Sequence, residues 1–124
     1  MGSIRTKRIY ESSDDNDGIR ILIDRLWPRG IKKESAEIKA WKKEIAPSNE
    51  LRKWFNHEPE RFEEFCKKYM EELGASEDAE KFSEFVKEQL KHENVTLLYA
   101  AKDEEHNNAL VLNEWLTQDK KVMK

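Results

Sequence analysis

The sequence predicts an α/β fold: a small, mostly parallel (mixed) sheet of about four strands, covered by helices in a Rossmann-like layering. Residues 19–24 and 95–100 form apolar, partly β-branched runs typical of strands buried on both faces. Between them, residues 62–73 carry apolar side chains at helical spacing, as a helix packed on a sheet requires. The chain has 124 residues, so we expect one domain over residues 1–124.

The first and third strands are weaker in pattern. Residues 4–10 predict a short, partly polar strand near a sheet edge. Residues 12–18 predict a solvated acidic turn too short for a helical crossover, so the first strand is antiparallel to the second or is not its neighbour. Residues 30–36 form a connection. Residues 38–45 alternate with a period of two, which favours a strand containing Trp41 over the alternative of a helix.

Local signals mark the ends of the predicted helices. Serine and aspartate accept hydrogen bonds from free N–H groups at helix starts, whereas glycine and proline interrupt helices. We expect Ser48 to cap a helix that ends at residue 55 or 56, and Pro59 to start a second helix that Gly74 ends. Ser76 is expected to cap a third helix, and Asp103 a last helix that begins at Glu104. Residues 120–124 are expected to fray as a polar tail.

Composition restricts the classes of function. Charged residues make up 40% of the chain, but the net charge is −3, which argues against broad nucleic-acid binding. We expect no membrane span and no signal peptide, because no apolar run is long enough. The single cysteine, Cys66, lies on an apolar helical stripe, so we interpret it as a core residue in a cytoplasmic protein. The sequence indicates no cofactor and does not determine the oligomeric state.

Three chemically varied segments follow the strands at 19–24, 38–45 and 95–100. If these strands are parallel, the segments meet at one end of the sheet. Ligands of open α/β sheets bind beyond the carboxyl ends of the strands. We therefore expect a shared site formed by residues 25–30, 46–48 and 101–108.

Cationic side chains in these segments predict an anion site. Arg25 and Arg29 can each bind a carboxylate or phosphate through two N–H groups, and Lys102 adds a third positive charge. Ser48 begins a helix whose free N–H groups also favour an anion. Asn107, in the segment of Lys102, completes the predicted binding set.

A structural role is the alternative for the same residues. Arg25 could pair with Asp103 or Asp24 and hold the strand ends together. Trp27 could provide a stacking surface for a planar ligand, or it could be an apolar plug over the end of the sheet.

Two histidines are candidates for acid–base chemistry. His57 lies in a break between helices and His106 follows Asp103, so either could exchange a proton near neutral pH, with Asp103 as the third catalytic candidate. Alternatively, His57 caps the preceding helix and His106 bonds a nearby carboxylate. Asp24, Asp103 and His106 lack metal-ligand spacing, so we predict no metal site.

The strand-end motifs resemble the YeaO-like family, small prokaryotic proteins filed as domain of unknown function 488. The resemblance covers residues 4–116 and implies a compact single domain without a known cofactor or established reaction. Its matching positions are Asp24, Arg25, Trp27, Pro28, Arg29, Gly30, Pro47, Ser48, His57, Lys102, Asp103, His106 and Asn107. Two positions depart from the pattern, Glu58 (often Asp) and Phe62 (often Trp).

Three hypotheses of function follow. The first is a small-molecule enzyme or anion-binding protein, which would join Arg25, Arg29, His57 and Lys102 in one cavity. The second is a non-catalytic protein- or nucleic-acid-interaction or regulatory module, for which Trp27 would be flat and exposed. The third is a structural network only, in which case the same side chains would point to separate surfaces.

Overall fold

Four parallel strands form a sheet in the computed structural model, which describes residues 2–122 and the side chains of residues 2–118. The strands are β1 (Ile4–Arg8), β2 (Ile19–Leu22), β3 (Ala40–Trp41) and β4 (Val95–Tyr99), in the order β1-β4-β2-β3. All strand pairs are parallel, and helices lie between β3 and β4 and after β4. The predicted α/β class with about four strands is confirmed, and the sheet, which was expected to be mostly parallel (mixed), is parallel throughout.

The register brings the central strand ends level with each other. Val95 pairs with both Ile4 and Ile19, so β1, β4 and β2 start at the same height. All five residues of β4 are buried, because strands flank β4 on both edges and apolar groups cover both of its faces. The segments that follow Arg8, Leu22 and Tyr99 therefore emerge close together.

The position of β1 settles the two alternatives left open for it. It is not antiparallel to β2; β4 lies between them, and β1 forms the edge of the sheet. The connection between β1 and β2 contains only the short 3-10 helix Asp15–Asp17. A connection without a helical crossover is possible because the central position is filled later in the chain, by β4.

The third strand is much shorter than predicted. Instead of residues 38–45, only Ala40–Trp41 pairs with β2, and the chain then turns into the 3-10 helix Lys43–Ile45. Ile45 is buried, and its carbonyl oxygen accepts a 2.7 Å hydrogen bond from the Tyr69 hydroxyl. This tertiary contact favours the turn over continued strand pairing, which the alternating sequence pattern could not reveal.

All four helices contribute to the same apolar core on one face of the sheet. They are α1 (Asn49–Phe55), α2 (Phe62–Gly74), α3 (Glu77–Gln89) and α4 (Asn108–Val122). Two predicted caps are confirmed: Ser48 Oγ accepts the N–H of Leu51 and Ser76 Oγ accepts that of Ala79, both at 3.1 Å. Pro59 starts a 3-10 turn that leads into α2.

The opposite face of the sheet is covered by loops. Ile9, Leu22 and Leu98 form its buried centre, and Trp27 and Trp41 pack against them. The two indole rings meet edge to face, with centroids 5.2 Å apart. The connection from β2 to β3, which contains the 3-10 turn Lys33–Ser35, therefore acts as the second covering layer.

One acidic residue of the first loop is not solvated as predicted. Asp17 is 2% exposed and accepts hydrogen bonds from Lys7 at 3.1 Å and from Arg20 at 2.6 Å. Burial alone would raise the pKa of Asp17, but these two cations hold it below its usual value. The sequence pattern missed this cluster because Lys7 and Arg20 approach Asp17 from two separate strands.

None of the described helices combines the length and the apolar character needed to cross a membrane. Residues 120–122, which were expected to fray, instead continue α4 to Val122, and residues 123–124 of the expected tail lie outside the described residues.

Candidate ligand-binding site

A cavity of about 640 Å³ lies at the carboxyl ends of the strands. This volume is typical of pockets that hold a small organic ligand. Its walls come from the segments after β1, β2 and β4 and from the region around α1. We call it the strand-end cavity, lined by Tyr10, Asp24, Arg25, Leu26, Trp27, Pro28, Arg29, Pro47, Arg52, Phe55, His57, Phe65, Ala100, Ala101, Lys102, Asp103, His106, Asn107 and Asn108.

Most of the residues singled out from the sequence meet in this cavity. Those that line it are Arg25, Trp27, Arg29, His57, Lys102, Asp103, His106 and Asn107. Ser48 does not line it. The N–H and the hydroxyl of Ser48 donate to the carboxylate of Glu72 at 2.9 and 2.6 Å. The amino end of α1 therefore already holds an anionic group from this chain.

Arg25 is held by backbone carbonyl groups. Its Nε donates to the carbonyl oxygen of Pro47 at 3.0 Å, and a terminal nitrogen donates to that of Ala46 at 3.3 Å. The expected alternative pairing with Asp103 or Asp24 is wrong. The neutral carbonyl groups fix the orientation of the guanidinium and leave its charge without a carboxylate partner.

Arg29, Arg52 and Lys102 also line the cavity without an acidic partner. No carboxylate among the described side chains lies within 4.0 Å of any of the three. Arg29 and Lys102 are exposed. Arg52 Nε is buried and has no hydrogen-bond partner in the described part of the chain, although a terminal nitrogen donates to Asn49 at 3.3 Å.

Sequence reasoning missed Arg52 as a site residue. The available signal was its place one helical turn after Ser48, on a helix that starts at a predicted strand end. Tyr10 was also missed, and Asn108 lay inside the expected segment 101–108 without being singled out.

The two carboxylates of the cavity have partners within this chain. Asp24 accepts the N–H of Ala100 at 3.0 Å and the amide of Asn108 at 2.9 Å. Burial raises the pKa of Asp24, and these hydrogen bonds together with the nearby charge of His57 only partly oppose that effect. Asp24 is therefore a structural acceptor that tolerates ionisation poorly.

Asp103 and His106 are joined by a side-chain hydrogen bond on the cavity wall. Nδ1 of His106 lies 2.9 Å from one Asp103 oxygen, and the other oxygen accepts the N–H groups of Glu105 and His106. The hydrogen bond from Glu105 is the main reason why the pKa of Asp103 lies below its usual value. The imidazole and the ring of Phe62 also meet in a T-shaped contact, with centroids 5.2 Å apart. Asp103 therefore orients the ring of His106, as the sequence suggested it could.

The last helix begins four residues later than predicted. It starts at Asn108 and not at Glu104, so Asp103 does not cap it. The cap is Asn107, whose side-chain oxygen accepts the N–H of Leu110 at 3.0 Å and whose amide nitrogen donates to the Asp103 carbonyl at 3.0 Å. Asn107 is buried and its amide is already used by the backbone at both ends.

His57 sits on an unusual backbone. Its φ is 56°, directly after Asn56 with φ 48°, so two consecutive non-glycine residues are left-handed. Asn56 is the C-cap of α1 and tolerates this conformation, whereas His57 is strained by it. The side chain is exposed, and its ring lies 6.3 Å from that of Phe55. Such strain concentrates at binding sites, which fits the place of His57 on the cavity wall.

Trp27 is anchored and half-buried. Its indole N–H donates to the carbonyl oxygen of Ile31 at 2.6 Å, and its ring packs against Trp41. Trp27 is therefore both the predicted apolar plug and part of the cavity wall.

The chemistry of the lining residues is cationic and aromatic. Four permanent cations, Arg25, Arg29, Arg52 and Lys102, outnumber two carboxylates, although the whole chain has a net charge of −3. The lining residues include no serine, threonine or cysteine. No group of three His, Cys, Asp or Glu side chains suited to a metal ion occurs among the described residues.

Fold and site together define a small parallel α/β domain with a cationic cavity at the strand carboxyl ends. The chain belongs to the YeaO-like family of domain of unknown function 488, as its motifs predicted: residues 3–124 match the family described as "Inactive DUF488-N3 subclade".

The chain is similar to uncharacterized proteins from other organisms, over most of its length in one case and over about half in another. It is 44% identical over 115 residues to the uncharacterized protein YeaO of Escherichia coli, covering 92% of this chain and 96% of that one. It is 51% identical over 70 residues to the uncharacterized protein Rv3073c of Mycobacterium tuberculosis, covering 56% of this chain and 59% of that protein. No solved structure matches the chain significantly.

Proposed function

We propose that this protein binds a small anionic ligand, through a carboxylate or phosphate group, in the strand-end cavity. One observation carries the proposal: four cations share a cavity, and none is paired with a carboxylate of the described side chains. In a chain that is 40% charged, acidic partners for surface cations are abundant. A cluster of unpaired cations repels itself, and an anion from outside relieves that repulsion.

The geometry of Arg25 supports a binding role. Its two backbone hydrogen bonds hold the guanidinium in one orientation, so a ligand would find this cation already placed. Arg52 adds a buried Nε–H that lacks an acceptor, and a ligand oxygen would satisfy it.

Binding without catalysis is the form of this function that we favour. The description of the family as an inactive subclade supports it. In this proposal the three catalytic candidates act in recognition. His106, oriented by Asp103, offers its free Nε2 to the ligand, and His57 supplies a further ring at the wall.

The alternative of a macromolecular docking module receives less support. It requires a flat, open Trp27, whereas the Trp27 indole is half-buried, hydrogen-bonded to Ile31 and packed against Trp41.

We place the protein in the cytoplasm in this proposal, in keeping with its single cysteine, Cys66, which packs against the core of the fold.

Titration with inorganic phosphate at low ionic strength tests the proposal. Calorimetry should detect binding to the unmodified protein, and Arg29→Gln or Lys102→Gln should weaken it by about tenfold each. Lys53→Gln is the matched control, because Lys53 is an exposed cation next to Arg52 that does not line the cavity. Equal affinity in Lys53→Gln and Lys102→Gln would overturn the proposal, as would a failure of both inorganic phosphate and acetate to bind.

A further inference from the structure

The mouth of the strand-end cavity combines exposed apolar and exposed cationic side chains. Tyr10 and Leu26 are the exposed large hydrophobic residues of the described chain, with 44% and 58% of their surface accessible, and both line the cavity. Arg29 and Lys102, also exposed, line it too. The Tyr10 hydroxyl donates to the carbonyl oxygen of Arg29 at 2.9 Å, so apolar and cationic groups are direct neighbours.

Exposed hydrophobic groups concentrated at one cavity indicate a ligand with an apolar part. Elsewhere in the described chain the large apolar side chains are buried or half-buried. Exposure of large apolar side chains to water is unfavourable, and the location of both residues at one cavity favours a role in binding.

Aromatic rings contribute to the lining of the cavity. Tyr10 is exposed and Trp27 is half-buried, whereas Phe55 and Phe65 are buried and stack with centroids 4.3 Å apart. Rings attract other rings in offset or edge-to-face contacts, which makes such a surface selective for planar aromatic groups over a hydrated ion. A cavity of about 640 Å³ also leaves most of its space empty around an inorganic anion.

We infer that the ligand is an aromatic anion, an aryl carboxylate or aryl phosphate, whose anionic group pairs with Arg29 and Lys102 while its ring packs on Leu26 and Tyr10. This inference rests on the proposed anion-binding function and names the class of its ligand. One such molecule neutralises two unpaired cations and covers two exposed hydrophobic groups at the same time.

Pairs of probes with equal charge test the inference by calorimetry. Phenyl phosphate is compared with methyl phosphate, and benzoate with acetate, so that the two pairs also distinguish a phosphate from a carboxylate. We expect the aryl member of at least one pair to bind about tenfold tighter or more. Leu26→Ser should remove most of this advantage and leave the affinity for methyl phosphate unchanged. Arg29→Gln should weaken aryl and methyl phosphate alike.

The outcomes separate this inference from the function on which it rests. Equal affinities for the aryl and alkyl members of both pairs would overturn the aromatic class and leave anion binding intact. An aryl preference that survives both Leu26→Ser and Tyr10→Ser would overturn the placement of the ring. If no probe binds, the proposed function itself fails. Both substitutions are at exposed side chains, so circular dichroism should show an unchanged fold.

Discussion

Asp24 and Ala100 tie together the carboxyl ends of the two central strands, because Asp24 Oδ2 accepts the backbone N–H of Ala100 at 3.0 Å. The other carboxylate oxygen accepts the side-chain amide of Asn108 in α4, at 2.9 Å. The carbonyl oxygen of Asp24 accepts the indole N–H of Trp41 in β3, at 2.7 Å. One residue thus joins β2, β3, β4 and α4 beside the strand-end cavity.

Exchange of the polar groups at positions 24 and 108 tests this junction. Asp24→Asn should lower the free energy of unfolding by about 1–3 kcal/mol, because the new amide cannot accept both N–H groups. In the double variant with Asn108→Asp, the amide introduced at position 24 can donate to the carboxylate introduced at position 108. This hydrogen bond should recover most of the lost free energy of unfolding. Urea unfolding measures both variants. A double variant no more stable than Asp24→Asn would contradict the assignment of these two hydrogen bonds.

The same junction should give the protein an unusual pH dependence. Burial raises the pKa of Asp24 above its value in the unfolded chain, so the folded state holds the proton more tightly. Asp24 therefore contributes most to the stability of the folded state when the pH is below the pKa that Asp24 has in the unfolded chain. This contribution falls as the pH rises through the raised pKa of the folded state. The Asp24→Asn variant has no carboxyl group to titrate and does not lose stability in this way. The difference in free energy of unfolding between the variant and the unmodified protein should therefore shrink between about pH 4 and pH 7. A constant deficit in urea unfolding would refute this.

Asp103 should act in the opposite direction. The N–H of Glu105 first, and then His106, keep the pKa of Asp103 below its usual value. Asp103 therefore stabilises the folded state when the pH is above the pKa that Asp103 has in the unfolded chain. This contribution is lost as the pH falls through the lower pKa of the folded state. Asp103→Asn should therefore reduce the loss of stability below about pH 4, measured as the urea midpoint. Glu105→Gln removes the same charge from the same loop and should leave the acid dependence as it is.

Gly30 should be required for its backbone conformation alone. Its φ is 78°, and a Cβ added there meets no atom within 4 Å. Gly30→Ala should cost about 1–2 kcal/mol because an L side chain is strained in this region. Gly74, at the end of α2, has equal space and no left-handed backbone, so Gly74→Ala should be neutral or stabilising. Equal effects of the two substitutions on thermal unfolding would argue against strain at position 30.

His57 should show a conflict between stability and binding. His57→Gly relieves the left-handed strain at φ 56° and should raise stability by up to about 1 kcal/mol. His57→Ala keeps the strained conformation and should bring no such gain. Both variants lose the imidazole, so both should bind phenyl phosphate more weakly if the ring contacts the ligand. Unfolding curves in which alanine stabilises as much as glycine would show that the backbone at position 57 is not strained.

Local patterns predicted much of the fold. Apolar runs located β2 and β4, and the hydroxyl groups of Ser48 and Ser76 located the starts of α1 and α3. These predictions succeed because each depends on neighbours in sequence: a strand buried on both faces must be apolar throughout, and a cap reaches only three residues ahead.

The predictions failed where a contact with another segment of the chain determines the local structure. Ile45 leaves the sheet because Tyr69 of α2 holds its carbonyl oxygen, so β3 stops at Trp41. Asp17 is buried because two strands each supply a cation. Tyr69 lies 24 residues from Ile45 in the sequence. Arg20 is only three residues from Asp17, but the parallel sheet is what brings Lys7 to the same carboxylate.

The sequence by itself determined the α/β class, the family and the segments that carry the site. Only the tertiary structure decided how their charges are distributed. It directs Arg25 to the carbonyl groups of Ala46 and Pro47, engages Asp24 with Ala100 and Asn108, and adds Arg52. Ion pairing depends on distances of a few ångströms between segments far apart in the chain. A list of charged residues therefore cannot show which cations remain available to a ligand.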